Sequence, residues 1–239
     1  MSEIAGRIKI IKEKIAAAAA RSGRKPEGVC LVAVSKSFDA SRIKEAIDAG
    51  ITDIGENYLQ EAHPKIKEIG KAVRWHFVGH LQKNKVNAVI DEFDLIQSVG
   101  SISLAEKIDK RSGLTGKKAN LLLEINAGVE ETKSGARYGE VLKILQASSG
   151  FKNIQWLGFM IIPPWSANPE DSREYFRNLK KIAGEAEKEG FPNFKNEYLS
   201  MGMTEDFEAA IEEGSTMVRI GRGIFGSRSK KAVAGYGYV

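Results

Sequence analysis

The stretch Val29-Cys30-Leu31-Val32-Ala33-Val34-Ser35-Lys36-Ser37-Phe38-Asp39-Ala40-Ser41-Arg42-Ile43-Lys44-Glu45-Ala46-Ile47-Asp48-Ala49-Gly50-Ile51-Thr52-Asp53-Ile54-Gly55 holds the fold in miniature. An apolar, partly β-branched run at 29–35 passes through a polar turn into 41–49, where Ile43, Ala46 and Ile47 recur at helical spacing. Gly50 stands where that helix should stop, and a second apolar run follows at 51–55. Strand, helix, strand in this order is the unit of a parallel sheet.

The unit recurs along the chain. Candidate strands fall at 29–35, 51–55, 73–79, 95–98, 119–125, 155–161, 197–200 and 217–220. The candidate helices are 41–49, 58–69, 85–93, 104–110, 141–145 and 169–188, with Gly70, Gly190 and Gly214 as further stops. Eight strands alternating with helices predict an α/β protein, a single (β/α)8 TIM barrel; an open doubly wound sheet is the alternative. Ile4, Ile8, Ile11 and Ile15, followed by the alanine run at 16–20, add an N-terminal helix within 1–22. Both architectures place functional groups at the C-terminal ends of the strands.

Composition bounds the function. A chain of 239 residues with 42% hydrophobic and 28% charged residues reads as one globular domain spanning 1–239. One cysteine and three histidines leave no internal disulfide and no structural zinc cluster, which fits a reduced, cytoplasmic setting. No apolar run is long enough for a membrane span, and the charged N-terminus is no secretory signal. A net charge of +5 is small for a nucleic-acid binder, but it is unevenly placed. Residues 214–239 contain no acid, while Arg219, Arg222, Arg228, Lys230 and Lys231 are basic. Such a segment serves a phosphate, an acidic partner or a polyanion, or is a solvated tail; 228–239 reads as flexible.

The strand ends carry the unusual residues. Lys36 closes the first strand in parity with Val32 and Val34, so on a pleated strand it shares their face. If that face lines the barrel, desolvation favours the neutral, nucleophilic amine; otherwise the lysine has already emerged into solvent. Gly55-Glu56-Asn57-Tyr58 is a polar set for a ligand-facing loop or a helix cap. His80 ends the third strand as a site residue or as a buried or capping histidine, and Trp165 follows the sixth as a pocket wall or core residue. The loops after strands seven and eight, with Gly202 and with Gly221, Gly223 and Gly226, have the composition of a barrel phosphate site.

These residues resemble a known family, the pyridoxal 5′-phosphate homeostasis proteins, related to the N-terminal barrel of alanine racemase and other fold-type III enzymes. The likeness is carried by Val32-Ala33-Val34-Ser35-Lys36, Gly55-Glu56-Asn57-Tyr58, Trp75-His76-Phe77-Val78-Gly79-His80-Leu81-Gln82, Lys133-Ser134-Gly135, Gly158-Phe159-Met160, Leu199-Ser200-Met201-Gly202-Met203-Thr204 and Arg219-Ile220-Gly221-Arg222-Gly223-Ile224-Phe225-Gly226. It implies pyridoxal 5′-phosphate held by Lys36 as a Schiff base, the internal aldimine. It further implies that Ser200, Thr204 and the backbone N–H groups of Gly221 and Arg222 hold the phosphate. Arg219 would face the pyridine nitrogen, with Asn57 and Met201 flanking the ring.

A protonated guanidinium can only donate to that nitrogen, which makes the ring a weak electron sink. Alanine racemases also append a β-domain with a tyrosine base, for which no counterpart is expected here. The expectation is a monomeric carrier that binds the cofactor reversibly and delivers it to apo-enzymes without robust catalysis, with neither nucleic acid nor membrane as partner. A single-domain amino-acid racemase is the alternative, and a regulatory module acting through the basic tail is a third. Lys133, Lys230 and Lys231 are candidate transit points for the aldehyde, or plain surface lysines.

Overall fold

The computed structural model describes residues 2–128 and 134–227. Eight parallel strands, β1 (Cys30–Val34), β2 (Asp53–Glu56), β3 (Arg74–Phe77), β4 (Leu95–Val99), β5 (Ala119–Asn126), β6 (Ile154–Ile162), β7 (Phe194–Ser200) and β8 (Met217–Ile220), close into a barrel in sequence order. Pairing of Cys30 to Ala33 with Met217 to Ile220 joins the first strand to the last. The outer ring contains α1 (Glu3–Arg21), α2 (Ala40–Asp48), α3 (Leu59–Ile69), α4 (Val86–Glu92), α5 (Ile102–Thr115), α6 (Val141–Ser148), α7 (Arg173–Glu189), α8 (Phe207–Glu212) and α9 (Arg222–Phe225). Among the described residues, no helix is long and apolar enough to cross a membrane.

Local chemistry accounts for these elements. Ser2 caps α1 by accepting from the Ala5 N–H, and Asp39 caps α2 by accepting from the Arg42 N–H. The predicted isoleucine stripe of α1 is buried against α8, α9 and α2. α7 ends at Gly190 in the left-handed conformation, as its glycine stop required. The candidate helix at 104–110 extends from Ile102 to Thr115. α8 and α9, of six and four residues, are too short for a periodic signal and were not expected.

The seam between β7 and β8 has one registered pair, Ser200 with Met217. Side chains supplement it: Ser215 Oγ lies 2.8, 2.9 and 3.2 Å from the carbonyls of Met201, Met217 and Leu199, and Thr216 Oγ1 accepts from the Leu199 N–H. The main core lies between strands and helices, while Val32, Leu95, Leu122, Met160 and Met217 form a smaller cluster inside the barrel. Barrel interiors are usually filled by bulky branched residues. Here Asp53, His76, Gln97, Ser200 and Arg219 are all buried in parity with interior positions.

Cys30 opens β1 beside Asp53. Burial, reinforced by that carboxylate, pushes its thiol up to about 12. Alkylation by iodoacetamide at pH 8 is expected to run more than about a hundredfold slower in the native protein than in denaturant. Equal rates by mass spectrometry would contradict the raised value of this half-buried thiol.

Candidate functional site

A cavity of about 440 Å³ opens at the C-terminal end of the barrel. Lys36 enters it from the turn after β1, Asn57 from the end of β2, and Arg219 from β8. Thr204, Gly221 and Arg222 close the side formed by the loops after β7 and β8. Ile162, Pro163, Pro164 and Trp165 form an apolar rim, with Trp165 83% exposed.

The Lys36 turn is held from behind. Lys65 Nζ, from α3, donates to the Ser35 carbonyl at 3.1 Å and to Glu56 Oε1 at 2.7 Å. The Ser35 hydroxyl donates to the same carboxylate oxygen, and Glu61 Oε2 accepts from the Ser37 N–H at 2.7 Å. Burial pushes the Glu56 carboxyl up against the pull of Lys65 and Ser35, and Oε2 has no partner. Ser37 sits at φ 69°, a left-handed conformation that costs a serine about 1 kcal/mol or more. The residues on both sides of Lys36 are therefore tied to α3 and β2.

Arg219 is a buried cation whose Nη1 donates to Ser200 Oγ at 2.6 Å and whose Nη2 donates to the Ile161 carbonyl at 2.9 Å. Desolvation pushes it down to about 10, so it remains a cation and a pure donor at neutral pH. Asn57 Oδ1 is buried without a hydrogen-bond partner. Across the cavity, Thr204 Oγ1 accepts weakly from the Gly223 N–H at 3.4 Å, and the exposed Arg222 side chain pairs with Glu205 at 3.2 Å. One cavity thus offers a lysine, a fixed guanidinium, an asparagine and a glycine-containing polar wall. That set suits a planar, anionic ligand with an electrophilic carbon.

Of the expected site residues, Lys36, Asn57, Thr204, Arg219, Gly221 and Arg222 share this cavity. Ser200 and Met201 are off its wall. Ser200 is buried with its hydroxyl between Arg219 and Gln97, and Met201 packs in the main core. His80 is exposed and does not line the cavity, whereas Trp165 lines its mouth. Lys133, Lys230, Lys231 and the rest of 228–239 lie outside the described residues. Sequence reasoning missed Lys65 and Glu61 beneath the turn and the polar interior of Asp53, His76 and Gln97. Strand parity was the available signal for those three, since each shares a face with recognised interior residues.

The chain matches the family model described as alanine racemase, N-terminal domain, over residues 8–229. It is 40% identical over 242 aligned positions to the pyridoxal phosphate homeostasis protein of Escherichia coli K12, covering 97% of this chain and 100% of that one. The like-named protein of Aquifex aeolicus is 38% identical over 223 residues, covering 93% of this chain and 97% of that one. The structure of PipY from Synechococcus elongatus PCC7942 with PLP bound superposes with a TM-score of 0.82 at 32% identity, covering 94% of this chain and 100% of that one. The chain belongs to the pyridoxal phosphate homeostasis protein family, whose barrel is that of the alanine racemase N-terminal domain.

Proposed function

We propose that this protein binds pyridoxal 5′-phosphate in the cavity at the C-terminal end of the barrel, covalently through Lys36, and takes part in homeostasis of the cofactor and its delivery to apo-enzymes without robust catalysis. The observation that carries the reading is the convergence of Lys36, Asn57 and Arg219 with Thr204, Gly221 and Arg222 on one cavity. The bound cofactor would supply an aldehyde that condenses with a neutral amine, releasing water, and a ring whose electron demand depends on its nitrogen.

The chain's own groups then have separate tasks. Lys36 supplies the amine. Arg219 donates an N–H to the ring nitrogen and yields no proton, which weakens carbanion chemistry. Thr204 and the backbone N–H groups of Gly221 and Arg222 receive the phosphate, and Asn57 meets the ring. Ser200 and Met201 serve from behind the wall, Ser200 through Arg219 and Met201 by packing. Among the described residues lining the cavity there is no tyrosine or histidine to exchange a proton at a substrate carbon. The cofactor-linked names of the relatives support the same reading.

Borohydride treatment of protein mixed with pyridoxal phosphate should leave a stable adduct that peptide mass spectrometry places on Lys36, and Lys36→Ala should abolish it. An adduct elsewhere, or none, removes the reading. Solvent deuterium entering the α-carbon of amino acids at enzyme-like rates would replace the carrier with a racemase.

A further inference from the structure

The barrel interior contains a chain of hydrogen bonds whose direction is set at one end by Arg219. A guanidinium only donates, so at 2.6 Å Ser200 Oγ must accept. The Ser200 proton then goes to Gln97 Oε1 at 2.7 Å, and Gln97 Nε2 donates to His76 Nδ1 at 2.9 Å. With Nδ1 an acceptor, the imidazole proton is on Nε2, which donates to Asp53 Oδ1 at 2.8 Å. Arg74, at the opposite end of the barrel, completes the carboxylate at 2.9 Å.

With a neutral imidazole, turning the Gln97 amide over breaks the order: its oxygen would face Nδ1, the imidazole proton would move there, and the bare Nε2 would confront the Asp53 carboxylate. Met217 Sδ, 3.2 Å from Gln97 Nε2, is a weak acceptor that also favours the amide as placed. Every bond therefore points from the buried cation toward the buried anion. A half-satisfied network would be worse than an apolar interior, and this one is satisfied at each step.

We propose that Ser200, Gln97, His76 and Asp53 form a one-way relay that positions Arg219, fixing the plane of its guanidinium so that its remaining N–H groups meet the cofactor's ring nitrogen. The inference rests on the cofactor reading above, and it assigns these four as positioning residues that act through Arg219. Two of the five guanidinium donors are anchored, to Ser200 and to the Ile161 carbonyl, and the rest are left for a ligand.

Ser200→Ala removes one hydroxyl and Gln97→Leu removes the central link, while Ser200→Thr keeps the hydroxyl. With cofactor labelled with ¹⁵N in the ring, both disruptive variants should shift the bound nitrogen resonance and weaken binding about tenfold, and Ser200→Thr should stay near wild type. In cofactor-free protein, the Arg219 Nη hydrogens should exchange about tenfold faster in the same two variants. If Gln97→Leu does not fold, Ser200→Ala decides. An unshifted resonance, with affinity and exchange within about twofold of wild type, in Ser200→Ala would overturn the relay. If the wild-type protein takes no cofactor at Lys36, the cofactor reading fails by itself. The exchange measurement then decides alone: faster exchange supports the relay, and unchanged exchange overturns it.

Discussion

Lys65→Met is expected to destabilise the fold by about 3–5 kcal/mol, because it strands a buried carboxylate. Glu56 is fully buried, and its Oε1 receives Lys65 Nζ and the Ser35 hydroxyl while Oε2 receives nothing. Methionine fills similar space but supplies no donor, leaving the Ser35 carbonyl without its lysine as well. The sign of the pH dependence follows from Glu56. Its folded value is already raised by burial, and losing the cation raises it further. Between the unfolded and folded values the native state binds the extra proton, so stability falls as pH rises through that window. Urea unfolding should therefore find the variant more damaged at pH 8 than at pH 5, and Glu56→Gln should recover part of the loss. A variant equal to wild type at both pH values would refute the buried-pair account. Because Lys65 and Glu61 also hold the turn on either side of Lys36, the same variant should load cofactor less completely.

The barrel was legible in the sequence because its signals are local. Val32, Val34 and Lys36 alternate on one strand, and the structure places Val32 inside the barrel and Lys36 on the cavity wall. The isoleucine stripe of α1 and the glycine after α7 likewise depend on neighbours within a few turns. What escaped was either too short to have a period, as with α8 and α9, or ambiguous in its partner. Lys65 and Glu61 stand four apart on α3 and read as an ordinary surface ion pair. Only the packing of α3 against the β1 turn turns the lysine inward, where it meets Glu56 instead.

The site divides along the same line. Lys36, Asn57, Arg219 and the glycine loops were visible as polar or flexible residues at strand ends, where a barrel places its chemistry. The family resemblance implied that Ser200 holds the phosphate. Its position as the last residue of β7, in parity with Tyr198, turns it into the barrel, where Arg219 and Gln97 occupy both sides of its hydroxyl. His76 and Gln97 lie mid-strand, and their polarity has meaning only once eight strands close and bring β3, β4, β7 and β8 around one interior. Strand parity identifies the face, and barrel closure supplies the partner.

Gly79→Ala is expected to cost about 3 kcal/mol, the upper end of overpacking, and to move Asn57 out of the site. Gly79 needs no unusual φ; what forbids a side chain there is space. A Cβ would fall 2.1 Å from the Asn57 carbonyl oxygen and 2.7 Å from its Cα, and both obstacles are backbone. No rotamer change relieves such a clash, so the end of β2 and the segment after β3 must separate. They are held together by the parallel pairing of Glu56 with Phe77 and by the Val78 N–H donating to the Glu56 carbonyl. Displacing Asn57 moves a lining residue of the cavity, so cofactor affinity should fall along with stability. Gly28→Ala is the matched control, since nothing lies within 4 Å of its added Cβ. Thermal unfolding and cofactor titration should separate the two variants, with Gly28→Ala near wild type in both. If Gly79→Ala bound cofactor and unfolded as wild type does, the close approach of these two segments would not be what holds Asn57 at the cavity.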